Sequence, residues 1–132
     1  MTTHANSMLS KLSDTGQLVK SLSDDLRGRK VKDKDGNGLG KVVDLLIDDE
    51  EHKARFLLVE HGGFLGLGER KSFIPVDAIT EITNDDVHID HSRDQVGGAP
   101  HYDPDLIDAR SYYDNIYGYY GYPAFWGRID NI

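Results

Sequence analysis

Asp33, Asp35, Asn37, Gly38 and Asp44 stand at places one, three, five, six and twelve of a twelve-residue span. A calcium-binding EF-hand loop presents oxygen ligands from those positions, around a glycine turn. Hard carboxylate and amide oxygens at that spacing could collect one divalent cation. Three features point the other way. Gly40 occupies the place of the usual apolar residue, Asp44 is one methylene shorter than the bidentate Glu, and no amphipathic helical pattern flanks either end. Asp, Asn and Gly are also what a tight turn requires. A polar hairpin turn is therefore the expectation, with a calcium- or small-ligand-binding regulatory loop as the alternative; no cofactor is expected.

The other chemistry-bearing residues are weaker signals. Gly63-Phe64-Leu65-Gly66-Leu67-Gly68 resembles a phosphate-binding loop, but Glu69 and Arg70 stand where Lys and Ser or Thr would be needed, and no helix start follows to receive an anion. It reads as a strand-to-strand loop with Phe64, Leu65 and Leu67 folding over a barrel mouth or forming an apolar docking tip. His4, His52, His61, His88, His91 and His101 lie in polar surroundings or near strand ends. On a regular strand His88 and His91 point to opposite faces and cannot grip one ion. Surface histidines are expected. There is no Cys, no G-x-S-x-G and no H-E-x-x-H. No catalytic residue is proposed, and the chain is expected not to be an enzyme.

The elements that would position these residues are mostly strands. Val42 to Ile47 and Arg55 to Val59 are dense in β-branched and large apolar residues, with the polar Asp48-Asp49-Glu50-Glu51-His52 between them, which predicts a hairpin. Ser72-Phe73-Ile74 forms another strand, stopped by Pro75, whose missing N–H ends ladder pairing. Val87 to Asp90 alternates, with Val87 and Ile89 on one face and His88 and Asp90 on the other. Arg27 to Lys34 holds five basic residues in eight; it reads as a first strand around Val31 with a basic solvent face, or as a docking patch for an acidic partner. The strands around Leu45 and Leu57 are apolar on both faces, so one face fills a small barrel and the other needs a cover, from the C-terminal segment or from another chain.

Residues 1 to about 10 carry no pattern and are expected to be disordered, followed by an irregular lead-in with one helical turn at Asp24-Asp25-Leu26. The organisation expected is residues 1–23 as a flexible or irregular segment, 24–95 as the barrel, and 96–132 as an aromatic segment. Nine of the chain's twelve aromatic residues follow Pro100. Tyr117-Gly118-Tyr119-Tyr120-Gly121-Tyr122 suits neither a helix core nor a strand with one apolar face. Such rings offer contact area with a polar handle. Tyr112, Tyr113, Tyr117, Tyr119, Tyr120, Tyr122, Phe125 and Trp126, with Phe64, Leu65 and Leu67, are the candidate partner-binding residues. The competing expectation is that part of the segment folds back over the barrel.

Composition limits the classes further. Fifteen Lys and Arg against 23 Asp and Glu give a net charge of −8, which repels phosphate backbones and anionic lipid surfaces. The aromatic segment has two Arg against five Asp, a poor platform for single-stranded nucleic acid. Nucleic acid is therefore not an expected partner. The first residues lack the apolar centre of a signal peptide, and no run nears the roughly 20 apolar residues of a membrane span. A cytoplasmic location without a membrane span is expected, and the absence of Cys permits a reducing compartment.

Together, Arg27-Gly28-Arg29-Lys30-Val31, Asp35-Gly36 with Leu39-Gly40-Lys41-Val42, Asp44-Leu45-Leu46-Ile47-Asp48, the Gly62 to Gly68 loop, Ile74-Pro75-Val76-Asp77 and Tyr102-Asp103-Pro104 carry a resemblance. Their order and spacing resemble the PRC-barrel domain family, in particular stand-alone bacterial members with an aromatic tail. This small barrel is shared by the cytoplasmic part of the photosynthetic reaction centre H subunit and the C-terminal domain of a ribosome maturation factor. The resemblance implies an all-β fold: a small antiparallel PRC-type β-barrel of about six strands with an irregular lead-in and a Tyr/Gly-rich C-terminal tail. It also implies a non-catalytic adaptor that binds a protein partner or forms a homodimer, as relatives do in modulating electron transfer or ribosome assembly.

Overall fold

A computed structural model describes residues 9–11, 25–62 and 69–127. Its frame is one curled, half-barrel sheet. In chain order the strands are β1 (Leu9–Lys11), β2 (Lys30–Lys32), β3 (Gly38–Asp48), β4 (Ala54–Gly62), β5 (Glu69–Pro75), β6 (Ile79–Ile82) and β7 (Asp86–Ile89). Two helices follow, α1 (Arg93–Gly97) and α2 (Arg110–Tyr120). The sheet order is β5-β4-β3-β2-β7-β6, with β1 on β3 beside this path.

The long strand β3 is the spine. It pairs antiparallel with β4 from Gly40–His61 to Ile47–Ala54, while its opposite edge carries β2 at one end and β1 at the other. A register shift between Val42 and Asp44 inserts Val43 as an extra residue, the kind of bulge that bends and twists a strand. Gly40 is required at this crossing, because a Cβ there would collide with the backbone carbonyl of Glu60. The turn after Asp48 is closed by His52 in the left-handed region, with φ 58°, and by the His52 N–H donating to Asp48 O at 2.9 Å.

Alternation gives β4 two apolar faces. Leu57 and Val59 lie on one, paired through Leu45, Val42, Ile74 and Ser72; Phe56 and Leu58 lie on the other, beside Leu46 and Phe73. All of these apolar side chains are buried. Pro75 closes β5 opposite Phe56, and a 3-10 turn over Val76–Ala78 leads into β6. Val87 and Ile89 of β7 are buried as their alternation predicts. Ser92 caps α1, its hydroxyl accepting from Gln95 N at 3.1 Å.

Several expectations need correction. The sheet is not purely antiparallel: β2 and β7 run parallel, Val31 beside Val87, because all of β3 to β6 intervenes before the chain returns to β2. Leu9–Lys11, expected to be disordered or irregular, is strand β1, with Leu9 buried and Leu9, Ser10 and Lys11 opposite Asp48, Ile47 and Leu46. Asp25 and Leu26 lead into a turn rather than a helical turn; Asp24, His4 and Phe64, Leu65 and Leu67 lie outside the described residues. The largest correction is α2, a helix where the Tyr-Gly repeat predicted none.

Candidate interaction site

The cover over the Phe56 face is α2. Tyr112, Tyr113, Ile116, Tyr117 and Tyr120 recur at helical spacing and are its buried residues. The Phe56 ring lies 5.2 Å from Tyr113 and 4.9 Å from Tyr117. Phe73 lies 5.5 Å from Tyr102, 6.2 Å from Tyr112 and 5.9 Å from Tyr113. Such tilted and edge-on pairs each add stabilisation beyond the area they bury. The hydroxyls of Tyr112 and Tyr113 donate to the carbonyls of His101 and Ile107 at 2.7 and 2.6 Å, and burial pushes both phenols above their ordinary range. Tyr112, Tyr113, Tyr117 and Tyr120 are therefore spent on the chain's own core. In this fold they do not present a surface to a partner, because the apolar sheet face needed them more.

The remaining candidate rings form a rim at the end of α2. Tyr119 is 39% exposed and its hydroxyl donates to Gln95 O at 2.6 Å. Tyr122, Phe125 and Trp126 are half-buried. Phe125 and Trp126 meet edge to face at 5.3 Å. Two cations flank them: the Arg55 guanidinium lies 4.5 Å from the Phe125 ring and that of Arg110 lies 5.3 Å from Trp126. Arg55 is held from below, its Nε donating to Asp48 Oδ2 at 2.8 Å. Neither arginine is among the partner-binding residues expected from sequence, although Arg55 alternates with buried Phe56 on β4 and so had to point away from it.

The polar residues singled out above have structural partners. Asp33 is 3% exposed. Its Oδ1 accepts from Asp35 N at 2.9 Å and Asn37 N at 2.8 Å, and its Oδ2 from Arg93 N at 3.3 Å. Burial pushes the carboxyl up, but these donors outweigh it and hold the pKa below the ordinary 3.8. The same donors occupy the oxygens that a cation would need. Asp44 lies six residues inside β3 from Gly38, about 20 Å along an extended strand, and its Oδ1 accepts from Leu45 N at 2.9 Å. Among the described residues, no group of three or more His, Asp or Glu is placed to hold a metal. A loop wrapped around one ion is not the geometry of Asp33, Asp35, Asn37 and Asp44.

Two histidines are buried rather than superficial. His61 bonds Ser72 Oγ through Nε2 at 2.9 Å, and desolvation, with His101 and Arg70 nearby, lowers its pKa. His91 bonds the Tyr122 hydroxyl at 2.8 Å and meets the Tyr120 ring edge-on at 4.9 Å. It thus joins the end of the barrel to the end of α2. The basic stretch borders an open cleft of about 400 Å³ lined by Gly28, Arg29, Lys30, Lys32, Asn84, Asp85 and Asp86. Carboxylates share that cleft with the cations, and the Arg29 guanidinium donates to Thr83 O at 3.0 Å. No helix among the described residues is long and apolar enough to cross a membrane.

No curated protein matches the chain. The PRC-barrel domain model matches residues 20–96, from before β2 to within α1, and so takes in β2 to β7 but neither α2 nor the aromatic rim. The bulged β3 spine, the β3–β4 hairpin and the proline-ended β5 all fall inside that span, and the chain belongs to the PRC-barrel domain family.

Proposed function

We propose that the chain is a non-catalytic protein–protein interaction module, an adaptor that engages its partner through the rim at the end of α2. The observation that carries this reading is the Phe125–Trp126 pair flanked by Arg55 and Arg110, beside exposed Tyr119. Aromatic rings and arginines in partial burial are the residue types that dominate binding energy at interfaces. The groups best suited to acid–base chemistry support it too, since Asp33, Asp48, His61 and His91 each hold a turn, a strand pair or the helix cover. A cytoplasmic setting belongs to the same proposal. The test is crosslinking of the full chain in a lysate, with captured proteins quantified against Phe125→Ala, Trp126→Ala and, as an off-rim control, Glu81→Ala. A partner lost with the first two and kept with the third supports the rim; a partner captured equally by all three refutes it.

A further inference from the structure

The segment that covers the Phe56 face lies beyond the family match. The match ends at residue 96, and among the described residues the tyrosines whose rings meet Phe56 and Phe73, Tyr102, Tyr112, Tyr113 and Tyr117, all follow it. The helix at its centre is weak in itself. It has 11 residues, RSYYDNIYGYY, below the roughly 12–15 at which even good helix formers become marginal in water. It contains none of Ala, Leu, Glu or Lys, holds Gly118 in its interior, and starts at Ala109 with no side-chain cap. The Tyr120 hydroxyl is buried without a hydrogen-bond partner among the described residues, a cost that opening removes. Packing on the sheet holds α2 helical, and the connection to it leaves α1 at exposed Gly98, whose N–H closes that helix on the Asp94 and Gln95 carbonyls.

We infer that α2 is an exchangeable occupant of the Phe56–Phe73 face, and that its alternative occupant is α2 of a second copy of this chain. A second copy repeats the contacts of α2 with the sheet and α1, namely Tyr113 and Tyr117 on Phe56, Tyr112 on Phe73, the Tyr119 hydroxyl on Gln95 O, and Tyr122 on His91. Those of the connecting segment, Tyr102 on Phe73 and the Tyr112 and Tyr113 hydroxyls on His101 O and Ile107 O, are given up. The exchange is therefore nearly balanced, save for the connecting segment and the entropy of association. Residues 99–109 reach about 36 Å when extended, enough for the helix to cross to a neighbour. The result is a symmetric dimer in which each sheet is closed by the other's helix. This deepens the interaction-module reading and rests on it for its biological use, but its test involves no foreign protein.

The test uses the full chain. Hydrogen exchange should show the α2 amides opening while those of β3 and β4 stay protected; α2 amides that exchange only with the whole sheet overturn the proposal. A labelled peptide of residues 99–127 should bind the full chain saturably and be displaced by its unlabelled form. It should bind about tenfold more tightly to an Ile116→Asp chain, whose own helix no longer competes. Binding no better than that of a scrambled peptide overturns the proposal, and the exchange experiment decides the matter if Ile116→Asp does not fold. Light scattering should show a dimer fraction growing with concentration. Saturable peptide binding by a chain that stays monomeric would make the occupant a foreign aromatic helix and overturn the second-copy assignment.

Discussion

Asp33 shows how one carboxylate can look like a ligand and act as a turn lock. Its oxygens accept from three backbone N–H groups, of Asp35, Asn37 and Arg93, so it ties the β2–β3 turn to the start of α1. Its depressed pKa means that the folded state holds the charged form more tightly than the unfolded state does. The stability it contributes is thus fully present above the unfolded value near 3.8 and is lost as pH falls through the folded value. Asp33→Asn should cost about 2 kcal/mol at pH 7 and flatten the acid limb of the urea midpoint below pH 4. An unchanged acid limb would show that other carboxylates set it. His61 acts in the same direction with pH, although here it is the neutral form that the fold favours. Desolvation, with His101 and Arg70, favours its neutral form in the fold, so the fold loses stability as pH drops through the unfolded value of 6.5 and no more below the folded one. His61→Gln, able to keep a bond to Ser72, should remove that step below pH 6.5 in thermal melts; a step of the same size in the variant would assign it to another group.

At the scale of the element, α2 is the decisive piece. Gly118 is exposed in its interior with open space where a Cβ would stand, whereas Gly121 ends it in the left-handed region at φ 87°. Gly118→Ala should therefore stabilise the chain by about 0.5–1 kcal/mol, and Gly121→Ala should destabilise it by about 1 kcal/mol. Chemical denaturation of the pair checks this directly, since equal effects of one sign would mean that α2 does not end as described. The helix was legible in the sequence and was obscured by its composition. Tyr112, Tyr113, Ile116, Tyr117 and Tyr120 keep a 3.6-residue period, but Tyr119 and Tyr122, off that face, are of the same residue type, so the stripe does not stand out against its background. The strands were easier to read, because on β7 buried Val87 and Ile89 alternate with polar His88 and Asp90. β1 is only three residues long, too short for any period to show, and the parallel register of β2 on β7 arises from contacts distant in sequence.

For the whole molecule, the family module and its cover can be separated in a single experiment. A chain ending at Gly98 keeps β2 to β7 but loses five side chains that close the sheet: Tyr112, Tyr113, Ile116, Tyr117 and Tyr120. It also loses the Tyr102 N–H that donates to Lys71 O at the β5 edge at 2.9 Å. Phe56 and Phe73, each with no exposed surface in the full chain, would face water. Losing one buried aromatic typically costs about 3–5 kcal/mol, and these five act as one group, so the total is bounded by the relaxation of the sheet rather than by their sum. The truncated chain should keep its strand signal in circular dichroism, lose about 3–5 kcal/mol to urea, bind a hydrophobic dye and gain mass with concentration as open faces pair. A net charge of −8 on the full chain opposes that pairing, so added salt should promote it. A truncated chain that stays monomeric, ignores the dye and unfolds at the midpoint of the full chain would mean that the sheet face needs no cover. The aromatic segment would then be an appendage rather than the outer layer of the core.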